Sequence, residues 1–127
     1  MVSGLGIDLV DVKRMDRIIR KWGPRFIEKV FTVGEAGYCM GKSDPARHFA
    51  ARFAVKEAFI KSFDSDTGIE FSFQDVEVEI CGDSGKPLLK LRGGLAEYAS
   101  SHNLKFHLSI THTDGFAAAV IIMENNG

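Results

Sequence analysis

The chain is 127 residues long, enough for a hydrophobic core, and we expect residues 1–127 to form a single domain. Its 16 lysines and arginines nearly balance its 17 aspartates and glutamates, which argues against a general nucleic-acid-binding protein. We expect no membrane span, because no stretch approaches the roughly 20 apolar residues that a span needs, and the first residues show no basic region followed by an apolar run. The two cysteines lie far apart and outside any metal-binding motif, which predicts reduced thiols. We therefore expect a soluble, cytoplasmic protein that binds neither nucleic acid nor a membrane.

The first predicted element is a buried strand over residues 3–10, SGLGIDLV, in which Gly4 and Gly6 permit close approach of another backbone. Asp8 interrupts its apolar side chains and has two interpretations. It either bonds nearby backbone or caps the following helix, or it is a carboxylate held on a rigid element for a metal ion. The second interpretation requires another acidic ligand from elsewhere in the chain.

A helix predicted over residues 11–22 has apolar and basic side chains on opposite faces, and Gly23 and Pro24 end it. Residues 13–25 contain six basic residues against one acidic residue, a local net charge of +5 in a chain whose net charge is −1. A charged outer face is usually no more than a solvated surface. A patch of one sign nevertheless favours docking of an acidic partner.

Two short elements come next. Residues 24–31 predict a short helix or turn, and Thr32 and Glu35 have the spacing of a capping box for another short helix that ends near Gly41.

The longest predicted helix spans residues 44–63, DPARHFAARFAVKEAFIKSF, and begins with an aspartate N-cap and a proline. Apolar residues cover most of its circumference, which is typical of a central helix with little exposed surface. Buried charge requires a partner, a metal or a ligand, and this helix carries four charged side chains on its central turns: Arg52, Lys56, Glu57 and Lys61. The alternative is a surface salt bridge between Glu57 and Lys61, with the other two side chains extending to solvent.

The remaining elements predict strands, turns and one more helix. Residues 64–73 are a predicted loop with a tight turn at Thr67-Gly68, followed by a strand over residues 74–80 and its hairpin partner over residues 88–91. A helix over residues 93–102 precedes a second hairpin, whose return strand covers residues 117–123. His112 lies where that hairpin turns, and a single histidine there is more often a structural residue than a catalyst. The fold class predicted is α+β, with a small antiparallel sheet packed against a long central helix.

Several motifs, in order along nearly the whole chain, resemble the holo-acyl carrier protein synthases, the short class of 4′-phosphopantetheinyl transferases. They are Gly6-Ile7-Asp8, Val30-Phe31-Thr32 with Glu35 and Tyr38-Cys39, Arg52-Phe53-Ala54-Val55-Lys56-Glu57-Ala58 with Lys61, Asp75-Val76-Glu77-Val78, Gly85-Lys86-Pro87, and Ser109-Ile110-Thr111-His112-Thr113. The pair G-I-D and F-A-x-K-E-A-x-x-K is the specific part. The loop after Lys61 departs from the family, because Asp66 stands where the first glycine of a Gly-Thr-Gly turn is usual. Because of that departure, the family's role for this turn near the cofactor is not carried over to Asp66 and Thr67.

The resemblance implies transfer of the 4′-phosphopantetheine group of coenzyme A to a serine of apo-acyl carrier protein, with release of adenosine 3′,5′-bisphosphate, a reaction of fatty acid biosynthesis. A diphosphate substrate implies Mg²⁺, which prefers one or two carboxylates with phosphate oxygens and waters. Asp8 and Glu57 match the family's metal ligands. By the same analogy Lys61 neutralises charge that develops on the phosphates, and either Glu57 or a metal-bound water accepts the serine proton. The positions associated with coenzyme A are matched by Arg52, Lys86, His112 and Thr113.

The resemblance also implies partners. The acidic surface of an acyl carrier protein would meet the basic side chains Arg14, Arg17, Lys21 and Arg25. Family members of this length are homotrimers with active sites at the subunit interfaces. Two other functions would use the same residues: a small Mg²⁺-dependent nucleotide diphosphate hydrolase, which has no need of the basic helix, and a non-catalytic module that binds a carrier protein.

Overall fold

The structure is a computed structural model that describes residues 1–63 and 65–127, with the backbone alone at Ser65. Asp64, the first residue of the predicted loop, lies outside the described residues. The elements are, in chain order, β1 (Val2–Asp11), α1 (Val12–Trp22), α2 (Pro24–Val30), α3 (Val33–Met40), α4 (Pro45–Ser62), β2 (Val76–Ile80), β3 (Pro87–Leu91), α5 (Gly93–Ser101), β4 (Leu104–His112) and β5 (Phe116–Asn125). In the part of the chain that the structure describes, no helix combines the length and apolar character needed to cross a membrane.

The strands form two antiparallel sheets, one of three strands in the order β1-β5-β4 and one of two strands, β2-β3. Helix α4 is the central element, and 11 of its 18 residues are buried. One side of α4 packs on the sheets around Phe59 and Ile121, and another side packs on α1, α2 and α3 around Phe49 and Phe31. The predicted α+β class, with small antiparallel sheets against a long central helix, is confirmed.

Strand β1 lies directly on the backbone of α4 because two of its inward-facing residues have no side chain. A Cβ atom at Gly6 would stand 1.8 Å from the carbonyl oxygen of Ala58, and one at Gly4 would stand 2.2 Å from that of Ser62. No side chain fits at such distances, so these glycines set the separation of strand and helix. Asp8 is the next inward-facing residue of β1, and the close contact brings it to α4.

Two capping interactions define the neighbouring helices. The side chain of Asp11 accepts a hydrogen bond from the backbone N–H of Arg14 at 3.1 Å, so α1 is capped by Asp11 and not by Asp8. The predicted capping box of α3 is confirmed, with Thr32 and Glu35 each bonding the other's backbone N–H. The expected apolar face of α1 ends early, because Trp22 is 56% exposed.

The outer face of the three-stranded sheet is apolar along β1 and β5, whereas the outward-facing residues of β4 are polar. On β1, Leu5, Ile7 and Leu9 are each more than 60% exposed, and Val120 and Ile122 of β5 lie beside Ile7 and Leu5 in the sheet register. The prediction of a buried strand is therefore wrong for the single chain, because α4 covers only the inner face of the sheet. The predicted strand over residues 74–80 is also shorter, since Phe73–Asp75 form a 3₁₀ turn.

Candidate active site

Strand β1 and helix α4 bring the three residues predicted to be catalytic into one place. The ammonium of Lys61 lies 3.1 Å from Oδ1 of Asp8 and donates to the carbonyl oxygen of Ile7, also at 3.1 Å. Glu57 and Asp8 line the same cavity. The alternative of a surface salt bridge between Glu57 and Lys61 is thus not what forms, because the lysine pairs with the strand carboxylate.

The electrostatics of this carboxylate cavity favour a cation. Burial and the neighbouring Asp8 carboxylate raise the pKa of Glu57, and the Lys61 ammonium opposes that shift. The cavity has a volume of about 280 Å³, and its other walls include Arg14, Met15 and Phe53. A divalent cation would relieve the repulsion between two carboxylates that share such a space.

The donor set can be compared with the needs of particular metals. Residues 1–63 and 65–127 contain no group of three or more His, Cys, Asp or Glu side chains that could hold a metal ion. A zinc or calcium site made entirely by protein ligands is not indicated there. Two carboxylates do fit Mg²⁺, which completes its octahedron with waters and substrate phosphates.

A second group of residues lies around the ring of Tyr38, and we call it the basic cluster: Lys42, His48, Arg52 and His112. The guanidinium of Arg52 lies 4.2 Å from the ring centroid of Tyr38, and the Lys42 ammonium lies 4.6 Å from it. The His48 ring contacts Tyr38 and, on its other side, His112, with centroid separations of 5.9 and 5.8 Å. The basic side chains thus come from α4, from β4 and from the turn after α3.

Within residues 1–63 and 65–127, no ion pair joins a side chain of the basic cluster to an acidic residue. Arg52 is only 3% exposed, and its Nε has no hydrogen-bond partner in the described part of the chain. Burial, followed by the charges of Arg52 and His112, lowers the pKa of His48, so every charge that shifts this histidine is basic. The nearby carboxylate of Asp114 is paired with Arg47 at 2.8 Å. A buried guanidinium without a counter-ion is costly, and an anionic ligand would compensate it.

Two residues predicted to contact coenzyme A, Thr113 and Lys86, do not belong to the basic cluster. The hydroxyl of Thr113 accepts hydrogen bonds from the backbone N–H groups of Gly115 and Phe116 in the turn between β4 and β5, next to His112. Lys86 lies in the exposed turn between β2 and β3, and the described residues show no hydrogen bond or ion pair between it and either Asp8 or Arg52. The single chain therefore brings Arg52 and His112 together but leaves Lys86 apart.

The basic face of α1 borders the carboxylate cavity. The four predicted partner-binding side chains, three on α1 and one on α2, are all exposed, and Arg14 forms part of the cavity wall. A partner that docks on this face is therefore next to Asp8 and Glu57. The four side chains are Arg14, Arg17, Lys21 and Arg25.

Sequence reasoning missed Lys42, His48 and the ring of Tyr38 as site residues. One signal existed, since His48 precedes Arg52 by four residues and the two share a helix face. Tyr38 and Lys42 come from α3 and the turn after it, and no sequence spacing relates them to α4.

Comparisons with known proteins match nearly the whole chain to one family. A sequence profile described as the 4′-phosphopantetheinyl transferase superfamily matches residues 4–121. A holo-[acyl-carrier-protein] synthase of Syntrophus aciditrophicus is 41% identical over 125 residues, 98% of this chain and 97% of that protein.

Solved structures extend the likeness to the fold. The holo-[acyl-carrier-protein] synthase of Neisseria meningitidis has a TM-score of 0.85 at 28% identity, covering 98% of this chain and 100% of the other. That of Bacillus anthracis, solved in complex with CoA (3′,5′-ADP), has a TM-score of 0.79 at 33% identity and 99% coverage of both chains. The chain therefore belongs to the 4′-phosphopantetheinyl transferase superfamily and is an enzyme of its holo-[acyl-carrier-protein] synthase type.

Proposed function

We propose that this single-domain, cytoplasmic protein moves the 4′-phosphopantetheine group of coenzyme A to a serine of apo-acyl carrier protein, depends on Mg²⁺ and releases adenosine 3′,5′-bisphosphate. One observation carries the proposal: α4 positions both Glu57, which shares the carboxylate cavity with Asp8 of β1, and the buried cation Arg52, for which the described residues show no ion pair. The two residues are five positions apart, roughly 7–8 Å along the helix axis. A ligand with several phosphates would reach both, and the Bacillus anthracis relative was solved in complex with CoA (3′,5′-ADP).

In this proposal Asp8 and Glu57 hold Mg²⁺. The ion, when bound, supplies positive charge that neutralises the diphosphate. Lys61, fixed by Ile7 and Asp8, places a further cation where charge develops on the phosphates. The serine oxygen bonds to the phosphorus that carries the pantetheine, and the bond from that phosphorus to the oxygen of adenosine bisphosphate breaks. The serine proton passes to Glu57 or to a water molecule in the site, and the negative charge leaves with the bisphosphate.

The basic cluster binds the nucleotide end of coenzyme A in the same proposal. Arg52 and Lys42 provide cations for its phosphates, the rings of His48 and His112 provide N–H donors, and Thr113 holds the turn that follows His112. Lys86 lies in the exposed turn between β2 and β3, and in this proposal it serves the site of a neighbouring subunit.

A homotrimer with interfacial active sites is part of the proposal. The outer sheet face, formed by Leu5, Ile7, Leu9, Val120 and Ile122, supports it, because monomeric soluble proteins rarely expose contiguous apolar patches of this kind. The number three follows the resemblance to the family. If a neighbouring subunit covers this sheet face, β1 is buried in the trimer, as its sequence predicts.

The carrier protein docks, in this proposal, on the basic face of α1. We expect Arg14→Glu to raise the Michaelis constant for apo-carrier protein by about tenfold or more, because a repulsive charge replaces an attractive one beside the cavity. The Michaelis constant for coenzyme A should change by less than about twofold. Steady-state kinetics with each substrate varied would measure both. Lys90→Glu, an equal charge change on β3, is the control, and equal effects of Arg14→Glu on both substrates would contradict this docking face.

Mass spectrometry of apo-carrier protein tests the proposed reaction. After incubation with the enzyme, coenzyme A and Mg²⁺, the carrier should gain one phosphopantetheine arm, and adenosine 3′,5′-bisphosphate should appear in equal amount. Omission of Mg²⁺ should stop both changes. Bisphosphate released without any carrier protein would indicate the alternative, hydrolysis of the diphosphate by water.

A further inference from the structure

The side chain of Lys56 is completely buried and uses all three of its N–H groups. Its ammonium lies 2.8 Å from Oε1 of Glu35 and donates to the carbonyl oxygens of Phe73 at 2.9 Å and Val76 at 2.6 Å. Helix α4 is thereby tied to α3 and to the start of β2. A lysine with every donor satisfied has none left for a ligand, so Lys56 does not contact substrate.

The partner carboxylate is equally saturated. Glu35 is 1% exposed, and its oxygens accept hydrogen bonds from Lys56, from the backbone N–H of Thr32 at 3.0 Å and from that of Val78 at 2.9 Å. Burial lowers the pKa of Lys56, and the charge and hydrogen bond of Glu35 oppose that shift. Separating the pair would leave an uncompensated buried group, which is costly. The ion pair therefore holds α3 and α4 in one relative position.

One turn away from the ion pair, α3 and α4 each contribute a residue to the region of the basic cluster. Tyr38 follows Glu35 by three residues on α3, and Arg52 precedes Lys56 by four residues on α4. The ring of Tyr38 contacts two side chains of α4, the guanidinium of Arg52 at 4.2 Å and the ring of His48 at 5.9 Å, and forms a second contact region between these helices. The buried ion pair and the Tyr38 ring, which faces the proposed ligand, are thus adjacent contact regions of α3 and α4.

We infer that Glu35 and Lys56 are positioning residues for the donor substrate: the buried ion pair sets the place of α3 on α4, so that Tyr38 holds Arg52 in the orientation that binds the phosphates of coenzyme A. The inference rests on the proposed function. It predicts that the ion pair affects the binding of coenzyme A and not the binding of carrier protein. The carrier-docking face lies on α1, and neither partner of the ion pair belongs to α1. A pair that served stability alone would affect both substrates or neither.

The test is direct binding of coenzyme A, measured by isothermal titration calorimetry, together with kinetics. Glu35→Gln removes the charge at nearly constant shape, and Glu35→Asp keeps the charge but withdraws it by one methylene. We expect both to raise the Kd for coenzyme A about tenfold, the effect typical of losing a positioning partner. The Michaelis constant for carrier protein should stay within about twofold of the wild-type value.

Two controls separate positioning from simple loss of stability. Ile121→Val loosens the other core cluster and should lower the melting temperature without changing the Kd for coenzyme A. Tyr38→Leu removes the second contact, so its effect on the Kd and that of Glu35→Asp should be non-additive in the double variant. The inference would be overturned if the folded Glu35 variants had an unchanged Kd, or if both of them unfolded. It would also be overturned if the effects of Tyr38→Leu and Glu35→Asp on the Kd were additive, or if Ile121→Val changed the Kd equally. A wild-type protein that binds no coenzyme A would contradict the proposed function itself.

Discussion

Glu57→Gln is expected to reduce phosphopantetheine transfer by about 100-fold or more, because it removes one of the two carboxylates proposed to hold Mg²⁺. The variant should fold and still bind carrier protein, since Glu57 is only partly buried and Arg14 is untouched. Transfer to apo-carrier protein, followed by mass spectrometry, gives the rate. Glu97→Gln, the same change on the exposed side of α5, is the control. A Glu57→Gln variant with full transfer activity would contradict Glu57 as a metal ligand, and a wild-type protein that binds carrier protein without transfer would favour the non-catalytic binding module.

The same variant should be at least as stable as the wild type at neutral pH. Burial and Asp8 raise the pKa of Glu57 above its ordinary value of 4.5, so the native state binds this proton more tightly than the unfolded state does. Stability from this group is therefore present at low pH and is lost as the pH rises from 4.5 through the raised pKa. Glutamine does not ionise and avoids that loss.

Melting temperatures at acidic and neutral pH would show the difference. Mg²⁺ should raise the melting temperature of the wild type, since a ligand bound by the native state alone stabilises it, and should do so much less in the variant. A variant that melts well below the wild type at neutral pH would contradict the stated pKa shift.

Ile7→Glu is expected to dissociate the proposed trimer into folded monomers and to lower transfer activity on the order of 100-fold, because the neighbouring subunit would no longer complete the site. Ile7 is 65% exposed in the single chain, so a charged side chain disturbs no intrachain packing but faces the apolar sheet surface of a partner. Sedimentation velocity gives the oligomeric state, and circular dichroism shows whether the monomer is folded.

Val33→Glu provides the matched comparison for Ile7→Glu. Val33 is also a large exposed apolar residue, 92% exposed, but it lies on α3 away from the sheet. It should leave the oligomeric state and the activity unchanged. A wild-type protein that is fully active as a monomer, or an Ile7→Glu variant that remains trimeric, would contradict the sheet face as the subunit interface.

The sequence alone determined most of the local structure. Periodicity and caps located the central helix within one residue at each end, and the spacing of Thr32 and Glu35 predicted a capping box that the structure contains. Helix and turn signals of this kind act over three or four residues, so they are readable without a fold. Family motifs added Asp8, Glu57 and Lys61 as a group, and β1 and α4 do bring these three side chains together.

Only the tertiary structure decided what the buried charges meet. From the sequence, Glu57 was an equally good partner for Lys61. In the structure, Gly6 has no side chain and lies against the backbone of α4, and this close contact brings Asp8 next to Lys61. Lys56 had no assigned role until α3 brought Glu35 to it, and Arg52, already matched to coenzyme A by the family resemblance, meets the ring of Tyr38 only in the folded structure. Tyr38, Glu35 and Asp8 lie 14, 21 and 53 residues from Arg52, Lys56 and Lys61 in sequence. Short-range patterns determine where a helix begins and ends, whereas the partner of a buried charge is determined by which distant element packs against it.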